Sequence, residues 1–394
     1  MPSSISSSDP REHPDHPGIT RPIPAQPWAV MAIVAAAIVA IVSGAWEMHC
    51  RALGYTPGLN DTTDLWCDAR RHVEPDSVVI VGASRALFDL DLDTLQDAFG
   101  KRPVQLALVG TCAYPELRDL ADDKTFHGTV ICDVVPGLLT IPSIAPPYKN
   151  AEKAIHRLHT QTLSQRFSFH LSMGLEQTFA CLQQEDLTLT ALLGHWQLPN
   201  RERTQLPPTL PPCFSTIDRD RRTRMLPRLL TDETLRDRVR SGWPPLFTPP
   251  PKPTWIPDDA FAAFMGKLFN QRFTDIDQAV TDIRARGGKV IFIREPSSGP
   301  LLDLEDTLTP RGAVWDRIIT ETGAPGIYFQ DYPALAHFTC PEWSHLSADD
   351  SVAYTKALAP LLVAGLAGTL PAPASSSATT PATAATASGA QPTP

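Results

Sequence analysis

Three short stretches of the chain hold the residue types needed for nucleophilic acyl chemistry. The first is Val79-Ile80-Val81-Gly82-Ala83-Ser84-Arg85, a β-branched run that ends in glycine and then a serine. A serine hydroxyl is a useful nucleophile only beside a base that takes its proton. A backbone N–H at a helix start can also help to stabilise an oxyanion. The second is Cys340-Pro341-Glu342-Trp343-Ser344-His345-Leu346-Ser347. A carboxylate three residues before a histidine can hold one imidazole nitrogen while the other faces a serine. The third is Val109-Gly110-Thr111, where glycine lets the backbone approach a ligand and offers another N–H. Ser84 and His345 are 345 − 84 = 261 residues apart, so the chemistry depends on a fold that joins them. The first stretch has a single glycine, Gly82, and lacks the G-x-G-x-x-G of a dinucleotide loop.

Positioning these residues falls to a series of short apolar strands. Ser77–Gly82, Val104–Val109, Gly128–Cys132 and Lys289–Ile293 read as buried parallel strands, with Gly326–Gln330 as a weaker fifth. Helical stretches alternate with them: Asp89–Phe99 closed by Gly100, Pro115–Asp123, and a long helix from Asp258 through Arg286 closed by Gly287-Gly288. Two more run from Thr309-Pro310 through Thr322 and, capped by Ser347, from Ala348 to about Leu366. The alternation predicts an α/β fold, an open doubly wound parallel sheet with ligands bound beyond the carboxyl ends of its strands. In a sheet ordered 2-1-3-4-5, Ser84, Gly110 and His345 converge at one edge.

Residues 140–257 interrupt this pattern as an insertion after the third strand. It has helix-like parts (Asn150–Phe167, Leu171–Leu193, Asp218–Val239) and proline-rich connectors (Leu206–Pro212, Trp243–Pro257). It reads equally as the mouth of a site or as a packing layer. Trp196, Trp243 and Trp255 there either stack on sugar rings or simply pack. Arg219-Asp220-Arg221-Arg222-Thr223-Arg224 reads as a solvated helix surface, with an anionic glycan or lipid headgroup as the other reading. His156 and His159 share a helix face and His170 follows, but no carboxylate or cysteine completes a metal set.

The chain has 394 residues and a net charge of −9, with no basic stripe, which argues against nucleic-acid binding. Its 40 prolines, about twice the usual ~5% share, point to many ordered loops. Residues 1–27 and 371–394 lack an apolar period and read as disordered. Trp28 to Trp46 contains 19 apolar or small residues, close to the ~20 that span a bilayer, with tryptophan at both interfaces. It reads as an uncleaved single-pass anchor; cleavage of a signal peptide at Ser43-Gly44-Ala45 is the competing reading. Arg11 and Arg21 precede the segment and set a weak N-in orientation, which places residues 47–370 outside the cytoplasm. Seven cysteines form no C-x-x-C pair, so neither zinc nor another cofactor is expected. Cys50 and Cys67 are close enough in sequence to bridge, though no spacing requires it, and Cys132 reads as a small buried residue.

Taken together, strand–Ser, strand–Gly and a late Glu-x-x-His before a helix resemble the SGNH (GDSL-like) hydrolase superfamily. The resemblance covers roughly residues 76–135 and 286–366. Within it, the chain looks most like membrane-anchored proteins with G-x-S-R in place of G-D-S, several of which are similar to bacterial alginate-type O-acetylation proteins. The resemblance implies a flavodoxin-like sheet and an esterase or O-acetyltransferase acting on acyl esters of an envelope polysaccharide. It also implies a membrane-bound O-acyltransferase as partner and a place in the cytoplasmic (inner) membrane with the catalytic domain outside. Its nucleophile falls on Ser84, its oxyanion glycine on Gly110, its base on His345 and its triad acid on Glu342, where aspartate is usual. The family's asparagine after the third strand has no counterpart in Cys132-Asp133-Val134-Val135-Pro136-Gly137. Arg294 stands at the same edge, where it binds an acidic substrate, supplies the missing positive charge, or pairs with Glu295 or Asp303, and Arg85 carries the same alternatives. The rival reading is a catalytically inactive SGNH-fold module that binds glycan or a partner.

Overall fold

The computed structural model describes residues 26–194, 211–249 and 252–372, which fall into two units divided after Gly54. Apart from residues 26–27, 211–212 and 371–372, the two expected disordered ends and the Leu206–Pro212 connector lie outside the described residues, as does Trp196.

Among the described residues the first unit contains one helix, Trp28–Ala52, long and apolar enough to cross a membrane. It outruns the expected 28–46 because Glu47 and Arg51, a turn apart, form an ion pair that carries the helix past its apolar part.

The second unit is built on a five-stranded parallel sheet: β1 Val78–Val81, β2 Val104–Gln105, β3 Thr129–Asp133, β6 Lys289–Arg294 and β7 Gly326–Tyr328, in the order β2-β1-β3-β6-β7. That is the order 2-1-3-4-5 within the sheet. A separate antiparallel hairpin comprises β4 Ser215–Ile217 and β5 Thr223–Met225. All four residues of β1 (VVIV) are buried, as expected of a parallel strand covered on both faces. Two helix groups pack against β6 and its neighbours. One centres on Ala348–Leu366 with Ser84–Asp89 and Leu92–Phe99, the other on Asp258–Ala285 with Tyr114–Asp122 and Arg311–Thr322.

The expected boundaries shift in several places. The Val104–Val109 strand keeps regular pairing only over two residues. Leu106 and Leu108 nevertheless donate to the carbonyls of Ile80 (2.8 Å) and Gly82 (3.0 Å), so the chain follows β1 to its end. The Asp89–Phe99 helix is two helices, broken at Leu90-Asp91, where the Asp91 side chain caps the second by accepting from the Thr94 amide. Asp258 lies inside its helix rather than at the cap, and Gly326–Gln330 gives way to a 3₁₀ turn after Tyr328. A helix at Gly299–Leu308 was not foreseen in the sequence.

The insertion differs most from expectation. Instead of one helix over Asn150–Phe167 there are Pro146–Thr160 and Leu163–Glu176, separated where Thr162 and Gln165 form a reciprocal capping box. Leu171–Leu193 divides into the end of the second helix and three short turns. Asp218–Val239 is not one helix: it opens with the β4–β5 turn and continues as Arg228–Thr231 and Glu233–Phe247. The basic run is therefore no solvated helix face. Arg221, at φ 65°, is buried with its guanidinium on Asp61 (2.8 Å) and the Gln105 carbonyl (3.1 Å), and Arg222 pairs with Asp91 (2.5 Å) and Asp93. Trp243-Pro244-Pro245 belongs to the helix Glu233–Phe247 rather than to a connector.

Candidate active site

From Ser77 through Leu92 every residue is buried except Ser84, which is half-buried at the first position of the helix Ser84–Asp89. The turn delivering it is clamped by carboxylates. The Gly82 amide donates to Glu116 Oε2 (3.2 Å) and the Ala83 amide to Asp133 Oδ2 (3.1 Å). A Cβ on Gly82 would stand 2.5 Å from Asp133 Cβ, so this close crossing of β1 and β3 requires glycine. The Ser84 amide is at a helix start, where N–H groups have no intrahelical acceptor and point toward an incoming negative charge.

The base arrives from the far end of the chain. Glu342 Oε1 accepts both from the His345 amide (2.6 Å) and from ring Nδ1 (2.9 Å); Oε2 accepts from the Ser344 amide (3.3 Å) and the Trp243 indole N–H (2.7 Å). With Nδ1–H given to the carboxylate, Nε2 is the free lone pair, and it lies 2.8 Å from Ser84 Oγ. The spacing of three thus lets one carboxylate fix both the loop backbone and the imidazole tautomer. Trp343, within that loop, has φ 81°, an uncommon conformation for a bulky side chain. It is held by backbone bonds to Cys340 and Ser298 and by Arg240, whose guanidinium is 5.2 Å from the indole centroid. Leu346 N–H donates to Asp89 Oδ1 (2.8 Å), which ties the histidine loop to the end of the serine helix.

The His345 ring lies in an aromatic cage of Phe88 (4.4 Å between centroids), Trp243 (5.6 Å) and Phe214 (5.8 Å). Glu342 and His345 are both buried, so the pair is shielded from water while the serine keeps access. Phe214 and Trp243 come from the insertion, which therefore packs on the base itself. Trp243 is buried and bonded to Glu342, a packing and hydrogen-bonding role rather than a sugar platform, whereas Trp255 is exposed.

Gly110 lies two residues beyond the point where Leu108 bonds Gly82, in the turn Leu108–Thr111, exposed and at φ 64°. Glu116 joins the two loops: it accepts from the Gly82 amide and, more weakly, from the Thr111 hydroxyl (3.5 Å). Among the described residues the three asparagines, Asn60, Asn150 and Asn270, bond to Leu182, Lys153 and Arg317, away from this edge. None of these three takes the position that the family resemblance would give an asparagine.

Arg85 and Arg294, expected to face a substrate or a nearby acid, are both closed off from solvent. They share Glu305, Arg85 through Oε1 (2.6 Å) and Arg294 through Oε2 (2.7 Å); neither Glu295 nor Asp303 takes that part. Burial alone would raise the Glu305 carboxyl, but the two guanidiniums outweigh it and hold it below its ordinary range. Arg85 also donates to the Ser344 carbonyl (3.2 Å), so this buried triad braces the serine helix against the histidine loop.

Below the sheet edge lie further buried acids. Burial pushes Asp89 well above the carboxylate range, against the pull of the Leu346 N–H and Arg85. Burial, together with Asp133, does the same to Glu295. Asp89, Glu116, Glu305, Phe214 and the brace formed by Trp243 carry no signal in the sequence, because each acts through partners far along the chain.

Cys50 and Cys67 are free thiols, not bridged to each other, and Cys132 is buried in β3. Among the described residues no group of three or more His, Cys, Asp or Glu side chains is placed to hold a metal ion. Compared with models of known protein families and with curated protein sequences, the chain matches none.

Proposed function

We propose that the protein is a membrane-anchored SGNH-like serine esterase or O-acetyltransferase. It acts on O-acyl esters of a cell-envelope polysaccharide from the outer side of the cytoplasmic membrane. The observation that carries this reading is the continuous hydrogen-bonded chain Ser84 Oγ–His345–Glu342, at 2.8 and 2.9 Å. The strand order 2-1-3-4-5 supports the flavodoxin-like member of the doubly wound class.

Ser84 Oγ attacks the acyl carbonyl carbon as His345 Nε2 takes the hydroxyl proton. The carbonyl π electrons move onto oxygen, where the Ser84 and Gly110 amides face the negative charge. Collapse expels the leaving alcohol, which takes the proton back from His345, and an acyl-serine remains. A sugar hydroxyl or water then gives its proton to His345 and attacks the acyl-serine, and the C–O bond to Ser84 breaks as His345 returns the proton to Ser84 Oγ, leaving the acylated sugar or free acid. Glu342 orients His345 through Nδ1 and stabilises the imidazolium. No cofactor enters this sequence. A membrane-bound O-acyltransferase would supply the acyl group in the transfer version.

Exposure of the purified full chain to an activated acetyl ester tests the proposal by mass spectrometry. The expected result is one added acetyl group, located on Ser84 and absent from Ser84→Ala. The absence of an asparagine donor after β3, and the bonding of Asn60, Asn150 and Asn270 elsewhere, favour the second reading, a binding module that retains the fold. Glycan binding that survives Ser84→Ala, with no acetyl adduct on the unmutated chain, would establish that reading instead.

A further inference from the structure

The helix Leu163–Glu176 has two apolar faces. Phe169 and Met173 are buried with Leu65 and Ile217. Leu163, Phe167, Leu171 and Leu175, at successive i, i+4 positions, are 81%, 68%, 57% and 52% exposed. Each such step turns about 40° around the helix, so the four form one stripe roughly opposite the buried face. Phe179 and Leu182, just beyond the helix, are exposed as well. The helix has a single acid, Glu176, which is buried and accepts from the Asn60 amide (3.0 Å). No charge repels an anionic surface along the stripe. Solvent-facing apolar stripes of this length are uncommon on soluble domains and mark contact surfaces.

Chain connectivity identifies the surface. The apolar helix Trp28–Ala52 is followed by only Leu53 and Gly54 before Tyr55, whose hydroxyl bonds Asp186 (3.2 Å). Gly58 then donates to the carbonyl of Glu176, the last residue of the striped helix (3.1 Å). Three Cα–Cα steps of about 3.8 Å allow at most ~11 Å between Ala52 and Tyr55. The six helical residues from Trp46 to Ala52 add about 9 Å, so a membrane surface at the end of the apolar part is at most ~20 Å of chain from Tyr55 and within reach of the striped helix.

We propose that the stripe Leu163/Phe167/Leu171/Leu175 is a membrane-contact face that lies at the headgroup–acyl boundary of the bilayer entered by Trp28–Ala52. An amphipathic helix lying in the interface plane buries its apolar side there. Two attachments, a spanning helix and an interfacial one, would fix the catalytic domain's tilt, so that Ser84 is presented in a set orientation. The inference rests on the reading of Trp28–Ala52 as an anchor.

The test uses the full chain reconstituted in phosphatidylethanolamine/phosphatidylglycerol vesicles that contain a lipid with a photoactivatable group on its acyl chain. Adducts are mapped by mass spectrometry. The expected result is adducts in 28–46 and also in 163–182. In Phe167→Ser/Leu171→Ser the second set is lost, while the first set, the melting temperature and any ester turnover stay unchanged. Adducts confined to 28–46 would overturn the contact face and leave the anchor standing. Adducts in neither segment would overturn both. Adducts in 163–182 that persist undiminished in the double variant would also overturn the assignment of the stripe.

Discussion

The serine segment and the insertion use apolar residues in opposite ways. Between Ser77 and Leu92 burial is nearly complete and Ser84 alone breaks it. The insertion leaves Leu163, Phe167, Leu171 and Leu175 in solvent, yet sends Phe214 and Trp243 into contact with His345. Ser84 is thus presented by an edge whose neighbours are all buried. The base is enclosed by a layer that the sheet itself does not require. Ser84 and His345 therefore depend on different parts of the chain for their placement, and substitutions should separate them.

The largest effect belongs to the reacting pair. Ser84→Ala and His345→Ala should each lower ester turnover by about 10⁴-fold or more, and the double variant should lose no more than either, since the two act as one unit. Glu342→Gln should cost less than either single change. Steady-state kinetics on an activated ester measures all four variants, and additive losses would break the unit.

Gly82→Ala probes the buried edge. Its methyl would meet Asp133 Cβ, so the β1–β3 crossing must open. Overpacking of this kind costs about 1–3 kcal/mol, and acylation should fall as Ser84 shifts. Chemical denaturation alongside kinetics checks both. Trp243→Phe probes the insertion's brace. It keeps the ring but leaves the buried Glu342 one donor short, at about 1–3 kcal/mol. Up to that much lost in the transition state is about 10- to 10²-fold in kcat/KM. An unchanged rate would show that the insertion only covers the base.

The buried acids give the comparison a pH dependence. Glu295 has a raised pKa when folded and titrates near 4.3 when unfolded. Between those values the native state holds the extra proton, so this group makes stability fall as pH rises from about 4.3 toward its folded pKa. Glu295→Gln should therefore flatten the melting temperature against pH above that point. Glu305 has the opposite sign: its lowered pKa contributes stability above the unfolded value, lost as pH falls through the folded one. A slope unchanged in Glu295→Gln would remove Glu295 as its source. The smallest effect is expected at Phe167→Ser, within about 0.5 kcal/mol of the unmutated chain, because the side chain already faces solvent.

The sheet was legible because parallel strands buried on both faces are written as unbroken β-branched runs, as in Val78–Val81 and Lys289–Arg294. The hairpin Ser215–Met225 was not, because its charged turn resembles a helix surface; Arg221 belongs inside only because Asp61 and the Gln105 carbonyl await it. Arg85 and Arg294 were placed at the correct edge, but their partner Glu305 lies in the helix Gly299–Leu308, which the sequence did not reveal.

Local sequence alone determined the strands, the apolar helix near the N-terminus, and the three-residue spacing that lets Glu342 hold His345, since these depend on periodicity and reach along a few residues. Tertiary structure decided that His345 meets Ser84 across 261 residues, that two insertion aromatics enclose the base, and that two arginines at the edge brace it rather than open to solvent. Those outcomes turn on which distant group satisfies a buried charge or ring, and that choice is made only when the chain is packed.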